Sequence, residues 1–256
     1  MPEHSDAWMT RIAWRGAAIA AAWQPDADDT PETAPLTRSE LAGYIDHSSL
    51  SVDATPAMLH TLCAEAREHG FASVCVNSSH VAYCAEALEG TGVLVGSTVG
   101  FPLGAMLTAA KVHEARLAIQ AGAGEVDMVL PVGLLKAEAW RGVYQDVAAV
   151  VEVCHASKVP CKIILETALL TDAEIAIACL LCVDAGADFV KTATGFAHGG
   201  ATVAAVALMR HVVGTTRGVK AAGGIRTYDD AMAMIGAGAT RIGTSSGVQI
   251  LEGAPT

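Results

Sequence analysis

The sequence predicts an α/β fold: one closed (β/α)8 barrel with a short N-terminal extension. Three observations carry this. The chain has 256 residues, and barrels of about 250 residues are common single domains. After Leu36, short β-branched or apolar runs alternate with helix-patterned segments, the alternation that builds parallel sheets. The runs are nearly continuous in apolar residues, as burial on both faces requires. Eight such units fit a closed TIM barrel better than an open doubly wound sheet. The latter is usually marked by a glycine fingerprint after its first strand, and this chain has none there.

Residues 1–36 differ from the rest. They hold three of the four Trp, an Ala-rich helix candidate near 12–23, and a Pro/Asp/Thr/Glu stretch at 25–35 that reads as a linker. They are expected to form a partly disordered N-terminal extension, with residues 37–256 as the barrel domain. Strand candidates are 43–46, 73–77, 93–99, 125–130, 161–166, 188–192, 218–221 and 240–243. Helix candidates between them include 55–69, 107–121, 135–157 and 172–185. Thr55 followed by Pro56 reads as an N-cap with proline at the first helical position. Ala-Gly-Ala or His-Gly closes several helices just before the next strand, as a C-cap glycine does.

Composition excludes several classes. A hydrophobic fraction of 52% rules out a disordered chain. A net charge of −11 argues against nucleic acid and anionic membrane surfaces as partners. No apolar run reaches the roughly 18 residues of a membrane helix. The stretch at 12–23 contains Arg15, is dominated by Ala and is followed by acidic residues, which reads against a processed signal. Seven Cys is an odd number, and most lie in apolar runs. Cys179 and Cys182 are spaced as CxxC, but inside a helix-like stretch, where buried Cys behaves as a small hydrophobe. A reducing cytoplasm fits this usage. The histidines show no paired ligand spacing, so no metal site is expected.

Chemistry in such barrels sits at the C-terminal strand ends. There are six Lys, and Lys191 (in DFVKTATG) and Lys220 (in GVKAAGG) stand within strand candidates. A strand lysine is disfavoured unless it is paired or functional. Two neighbouring lysines favour loss of one proton, and a neutral lysine attacks carbonyls to form a Schiff base. The alternative is a pair of structural salt bridges. Asp127 (in EVDMV) shares a strand face with Glu125 and is the candidate for proton transfer. Asp46 (in YIDHSSL) and Glu166 (in KIILET) are placed similarly, as acids or as charge partners for the lysines. Gly223-Gly224 and Gly243-Thr244-Ser245-Ser246-Gly247 follow strands seven and eight, the common phosphate position of this fold, with Arg226 nearby. The residues alone point to a Lys-dependent, phosphate-binding barrel enzyme. An isomerase, an epimerase, a transaldolase-like enzyme and a catalytically silent sugar-phosphate sensor stay open on that basis.

Eight motifs occur in order between about Tyr44 and Leu251: YIDHSSL, VCVN, GSTVGFPLG, EVDMV, KIILET, GADFVKTATGF, VKAAGGIRT and GATRIGTSSG. In these the chain resembles class I deoxyribose-phosphate aldolases. The resemblance implies reversible cleavage of 2-deoxy-D-ribose 5-phosphate to acetaldehyde and D-glyceraldehyde 3-phosphate, with no metal or organic cofactor. It implies Lys191 as Schiff-base lysine, Lys220 as second lysine, Asp127 as proton shuttle and Asp46 as supporting acid. It places the phosphate on Gly195, Gly223, Gly224, Gly243, Ser245 and Ser246. It also implies a homodimer as the assembly, while the cysteine usage gives the cytoplasm as the expected location. Phe196 follows Gly195 where some members carry Lys, and Ala193 stands where many have Ser. Cys75, near the expected mouth, is a candidate for capture by reactive aldehyde products.

Overall fold

The computed structural model describes residues 6–24 and 34–255. Eight parallel strands close in sequence order into a barrel: β1 (Ile45–Ser49), β2 (Ser73–Val76), β3 (Leu94–Val99), β4 (Glu125–Val129), β5 (Cys161–Ile164), β6 (Phe189–Lys191), β7 (Gly218–Ala222) and β8 (Arg241–Thr244). Helices α1 (Asp6–Ala22) and α2 (Arg38–Ala42) precede β1. The outer layer is α3 (Pro56–His69), α4 (Val81–Ala87), α5 (Thr108–Gln120), α6 (Val132–Lys136), α7 (Trp140–Ala156), α8 (Asp172–Asp184), α9 (Val203–Val213), α10 (Tyr228–Gly236) and α11 (Gly247–Glu252). No helix among the described residues is long and apolar enough to cross a membrane.

Local chemistry explains the boundaries. The Thr55 hydroxyl accepts from the Met58 N–H at 3.3 Å, and Pro56 opens α3 at no hydrogen-bond cost. Thr171 and Glu174 form a capping box at the start of α8. The strands are buried on both faces, so they read as continuous apolar runs, and their outer residues join one core with the helices. Cys179 and Cys182 lie buried within α8 as free thiols.

Two expectations need correction. The first strand runs over 45–49 rather than 43–46, because residues 38–42 form α2 and the chain turns at Gly43 before pairing with β2 and β8. The helix expected over 135–157 is two helices, with α6 ending at Lys136 and Glu138 in a left-handed conformation at φ 56°. Within the expected extension, residues 6–22 form a helix packed on the barrel. Trp8, Met9 and Ile12 are buried, and the Trp8 Nε1–H donates to Asp184 at the end of α8 at 3.0 Å. The expected linker at 25–35 lies outside the described residues except for 34 and 35.

Candidate active site

The barrel interior carries a layer of charge. Lys191, the last residue of β6, pairs in register with Lys220 on β7. Asp127 on β4 pairs with Lys162 on β5. Asp46 lies second in β1, level with Gly243 on β8. These residues and Glu125 are all buried, because alternation turns positions 125 and 127 to the same inner face.

The contacts are dense. Lys191 Nζ donates to Asp127 Oδ2 at 2.8 Å, and Lys220 Nζ donates to the same oxygen at 2.7 Å. Lys220 also lies 2.5 Å from Asp46 Oδ2. Lys162 Nζ is 2.6 Å from Glu125, 3.2 Å from Asp127 Oδ1 and 3.7 Å from Asp46. Arg241 contacts Asp46 at 2.5 Å and Glu125 at 3.3 Å, and the Ser73 hydroxyl donates to Asp46 at 2.7 Å. Four cations (Lys162, Lys191, Lys220, Arg241) thus share three carboxylates (Asp46, Glu125, Asp127).

Electrostatics follow from that count. Burial alone raises the carboxyl of Asp127, but Lys162, Lys191 and Lys220 outweigh it and hold the group well below the usual range. Asp46 is held low in the same way, with Lys220, Lys162 and Arg241 overcoming its burial. Burial pulls Lys220 down, yet Asp127 and Asp46 carry it well above an ordinary lysine, so it stays charged. Lys162 is likewise raised, by Asp127, Asp46 and Glu125 against its desolvation.

Above this layer opens a cavity of about 520 Å³. Lys191, Lys220 and Cys75 line it from within the barrel. Gly195, Gly223, Gly224 and Ser245 line it from the loops and Gly243 from β8, together with the exposed Arg226. Gly195, Gly223 and Gly224 have φ of 83°, 96° and 82°, a region that disfavours side chains. A Cβ on Gly223 would also lie only 3.0 Å from the Gly200 Cα, so the two backbones leave little room there for a side chain. The loops after β6, β7 and β8 therefore meet as bare backbone beside the two lysines. Phe196 lines the rim and stacks edge-on against Phe101, with centroids 5.2 Å apart. Burial and the Asp127 charge push the Cys75 thiol up, and its sulfur lies 3.9 Å from Asp127 Oδ2.

Most residues singled out in the sequence converge here, and three do not behave as expected. Asp46 is one layer below the mouth, not at a strand end, and reaches the cavity only through Lys220. Ser246 does not line the cavity; its N–H donates to the Thr244 hydroxyl at 2.9 Å as the chain enters α11. Glu166 is far from being a partner of the lysines: its carboxylate accepts from the N–H and hydroxyl of Thr194. Lys162 was missed. It stands in a strand candidate as Lys191 and Lys220 do, so the same signal marked it.

A family model described as DeoC/LacD family aldolase matches residues 41–253. A deoxyribose-phosphate aldolase of Macrococcus caseolyticus is 55% identical over 213 residues, 83% of this chain and 96% of that protein. One from Streptococcus pneumoniae is 54% identical over 214 residues, 84% of this chain and 96% of its own length. Among solved structures, the Aeropyrum pernix deoxyribose phosphate aldolase, described as tetrameric, superposes with a TM-score of 0.80 at 32% identity. That match covers 94% of this chain and 95% of the other. A crystal structure from Coccidioides immitis gives a TM-score of 0.89 at 40% identity, covering 95% and 96%. With its barrel and its charged interior in place, the chain belongs to the DeoC/LacD family of aldolases.

Proposed function

We propose that this protein is a class I deoxyribose-phosphate aldolase, cleaving 2-deoxy-D-ribose 5-phosphate reversibly to acetaldehyde and D-glyceraldehyde 3-phosphate. The observation that carries the reading is the shared Asp127 oxygen between Lys191 and Lys220, at 2.8 and 2.7 Å, directly beneath a cavity rimmed by glycine loops. The relatives, themselves named deoxyribose-phosphate aldolases, support the substrate.

The proposed steps follow the geometry. Lys191 is tied to one carboxylate, whereas Lys220 is tied to two and Lys162 to three. Lys191 is thus the lysine of the layer held by the fewest carboxylates, and it is the one that lines the cavity as nucleophile in its neutral form. Its nitrogen lone pair attacks the aldehyde carbon C1, and loss of water leaves an iminium. The C3 hydroxyl gives up its proton, the C2–C3 bond breaks, and its electron pair moves into the enamine. Glyceraldehyde 3-phosphate departs, C2 takes a proton, and water releases acetaldehyde and Lys191. Asp127 and Lys220 relay these protons, through water where the hydroxyls stand above the layer. Proton transfer of this kind contributes about 10²–10⁴-fold. Asp46 acts from below by fixing Lys220. The backbone of Gly195, Gly223, Gly224 and Gly243, with Ser245 and with Ser246 as loop support, holds the phosphate and fixes the reacting end over Lys191.

A cytoplasmic setting belongs to the same proposal, and the seven free, buried thiols support a reducing compartment.

The test is imine trapping. Acetaldehyde with borohydride is expected to add two carbons to the Lys191 peptide and to nothing else. The adduct is expected to vanish in Lys191→Ala, which stays folded but inactive. A folded wild-type protein that forms no adduct overturns the reading.

A further inference from the structure

Glu166 is an unusual residue in an unusual place. It is a non-glycine residue in the left-handed region, at φ 60° and ψ 58°, two residues past the end of β5. Its neighbours keep the ladder to the lysine strand: the Leu165 N–H donates to Lys191 O, and the Thr167 N–H donates to Thr192 O, both at 2.9 Å. The backbone is thus pinned on both sides while Glu166 itself is turned out of strand geometry. Its residue exposure is 5%, and no cation lies within ion-pair distance of its carboxylate among the described residues. A buried carboxylate without a counterion is costly unless hydrogen bonds replace its water.

Those hydrogen bonds all come from one residue. The Thr194 hydroxyl donates to Glu166 at 2.5 Å, and the Thr194 N–H is 3.3 Å from each carboxylate oxygen. The same hydroxyl accepts from the Phe196 N–H at 3.1 Å. Glu166, Thr194 and Phe196 therefore form a short relay that spans Gly195. Without it, the left-handed Gly195 turn has no side chain of its own to fix it. Glu166 does not line the cavity, whereas Thr194, Gly195 and Phe196 do.

We propose that Glu166 is a positioning residue: through Thr194 it sets the 194–196 turn so that the backbone at Gly195 faces a bound phosphate group. This rests on the reading of Gly195 as part of the anion-binding rim. A carboxylate suits the role because it accepts from N–H and O–H at once, and its charge strengthens both bonds. It sits behind the loop with its oxygens occupied, away from the anion.

The decisive variant is Glu166→Asn. Asparagine tolerates the left-handed conformation but is one methylene too short to keep the Thr194 contacts. Calorimetry with inorganic phosphate is expected to show at least about tenfold weaker binding. The KM for 2-deoxyribose 5-phosphate is expected to rise in step while kcat stays within about threefold, the pattern of lost uniform binding. Glu166→Gln keeps one acceptor oxygen and is expected to fall between wild type and Asn. Trapping of acetaldehyde on Lys191 needs no phosphate and is expected to be unchanged in Glu166→Asn. Should Glu166→Asn fail to fold, Thr194→Val removes the hydroxyl link and is expected to give the same loss of phosphate affinity. Wild-type phosphate affinity in a folded variant overturns the proposal. So does loss of trapping in a variant that still binds phosphate, since Glu166 then acts at the lysine. Failure of the aldolase reading shows separately, as absence of trapping in wild type.

Discussion

Lys191 and Lys220 converge on a single oxygen, Oδ2 of Asp127, and lie side by side in register on adjacent strands. Asp127 and Asp46 hold Lys220 protonated far above the ordinary lysine range. A permanent cation therefore stands beside the proposed nucleophile. Removing it leaves Lys191 with Asp127 and without that like charge, which favours the ammonium form. Lys220→Leu is expected to move the acidic limb of the kcat/KM profile up by about one pH unit or more. The rate of borohydride trapping at Lys191 is expected to shift alike. An unmoved profile in a folded, active variant removes Lys220 from this role.

The charged layer also sets the pH range of stability. Asp46 and Asp127 are both held well below the usual carboxylate range. Groups depressed on folding stabilise the barrel above their unfolded pKa, about 4, and lose that contribution as pH falls through the folded value. Lys162 and Lys220 are raised on folding. Their contribution is complete below about pH 10 and is lost only as pH climbs through the raised values. The urea midpoint is thus expected to be insensitive to this cluster between about pH 5 and 9 and to fall steeply below about pH 4. Asp46→Asn, less stable at neutral pH, is expected to show a shallower acid limb. An acid limb of unchanged slope shows that other carboxylates dominate.

Lys162 shows where reading a sequence stops. Its charge, its strand and its apolar neighbours are all visible in KIILET. That it faces inward, level with Asp127, depends on register between β4 and β5, which is set by the whole barrel closing. Asp46 reads as a strand end for a related reason: the strand starts only at Ile45, after α2, so the residue lies lower than its motif suggests. Glu166 has the composition of a catalytic acid, but one left-handed residue directs its carboxylate to Thr194. That Lys191, Lys220, Asp127 and the glycine loops come together was legible because inward alternation along a strand and glycine turns after it depend on local spacing alone. Helix α1 was legible in part, as the Ala-rich candidate near 12–23, but its docking was not, because its apolar stripe of Trp8, Met9 and Ile12 is short and becomes meaningful only against α8.

Removing Lys162 tests the layer as a structural unit. Lys162 does not line the cavity, yet it bridges Glu125, Asp127 and Asp46. Lys162→Met leaves Glu125 with Arg241 alone and reduces the balance to three cations against three carboxylates. Breaking a buried network on one side costs about 3–5 kcal/mol. We expect a loss of that size in urea unfolding, with the Lys191 adduct still formed in the folded fraction. Stability within about 1 kcal/mol of wild type shows that Arg241 and Lys220 take over its role.

Helix α1 provides the last test, at a point far from the chemistry. The α8 residues 175–182 are buried on every side, because α1 covers the face that a barrel helix otherwise leaves to solvent. Gly16 lets the two helices approach closely. A Cβ there would strike the Ile177 side chain and lie 3.0 Å from its backbone nitrogen. The Trp8 bond to Asp184 and its edge-on contact with Tyr144, 5.2 Å between centroids, fix the other end of the helix. Gly16→Val therefore forces α1 off α8 or strains both, at about 1–3 kcal/mol, the usual cost of overpacking. Urea unfolding is expected to register that loss, while kcat and Lys191 trapping stay at wild-type values. A fall in kcat without a fall in stability means instead that α1 is coupled to the barrel mouth through α8, and the helix becomes part of the enzyme's function as well as its core.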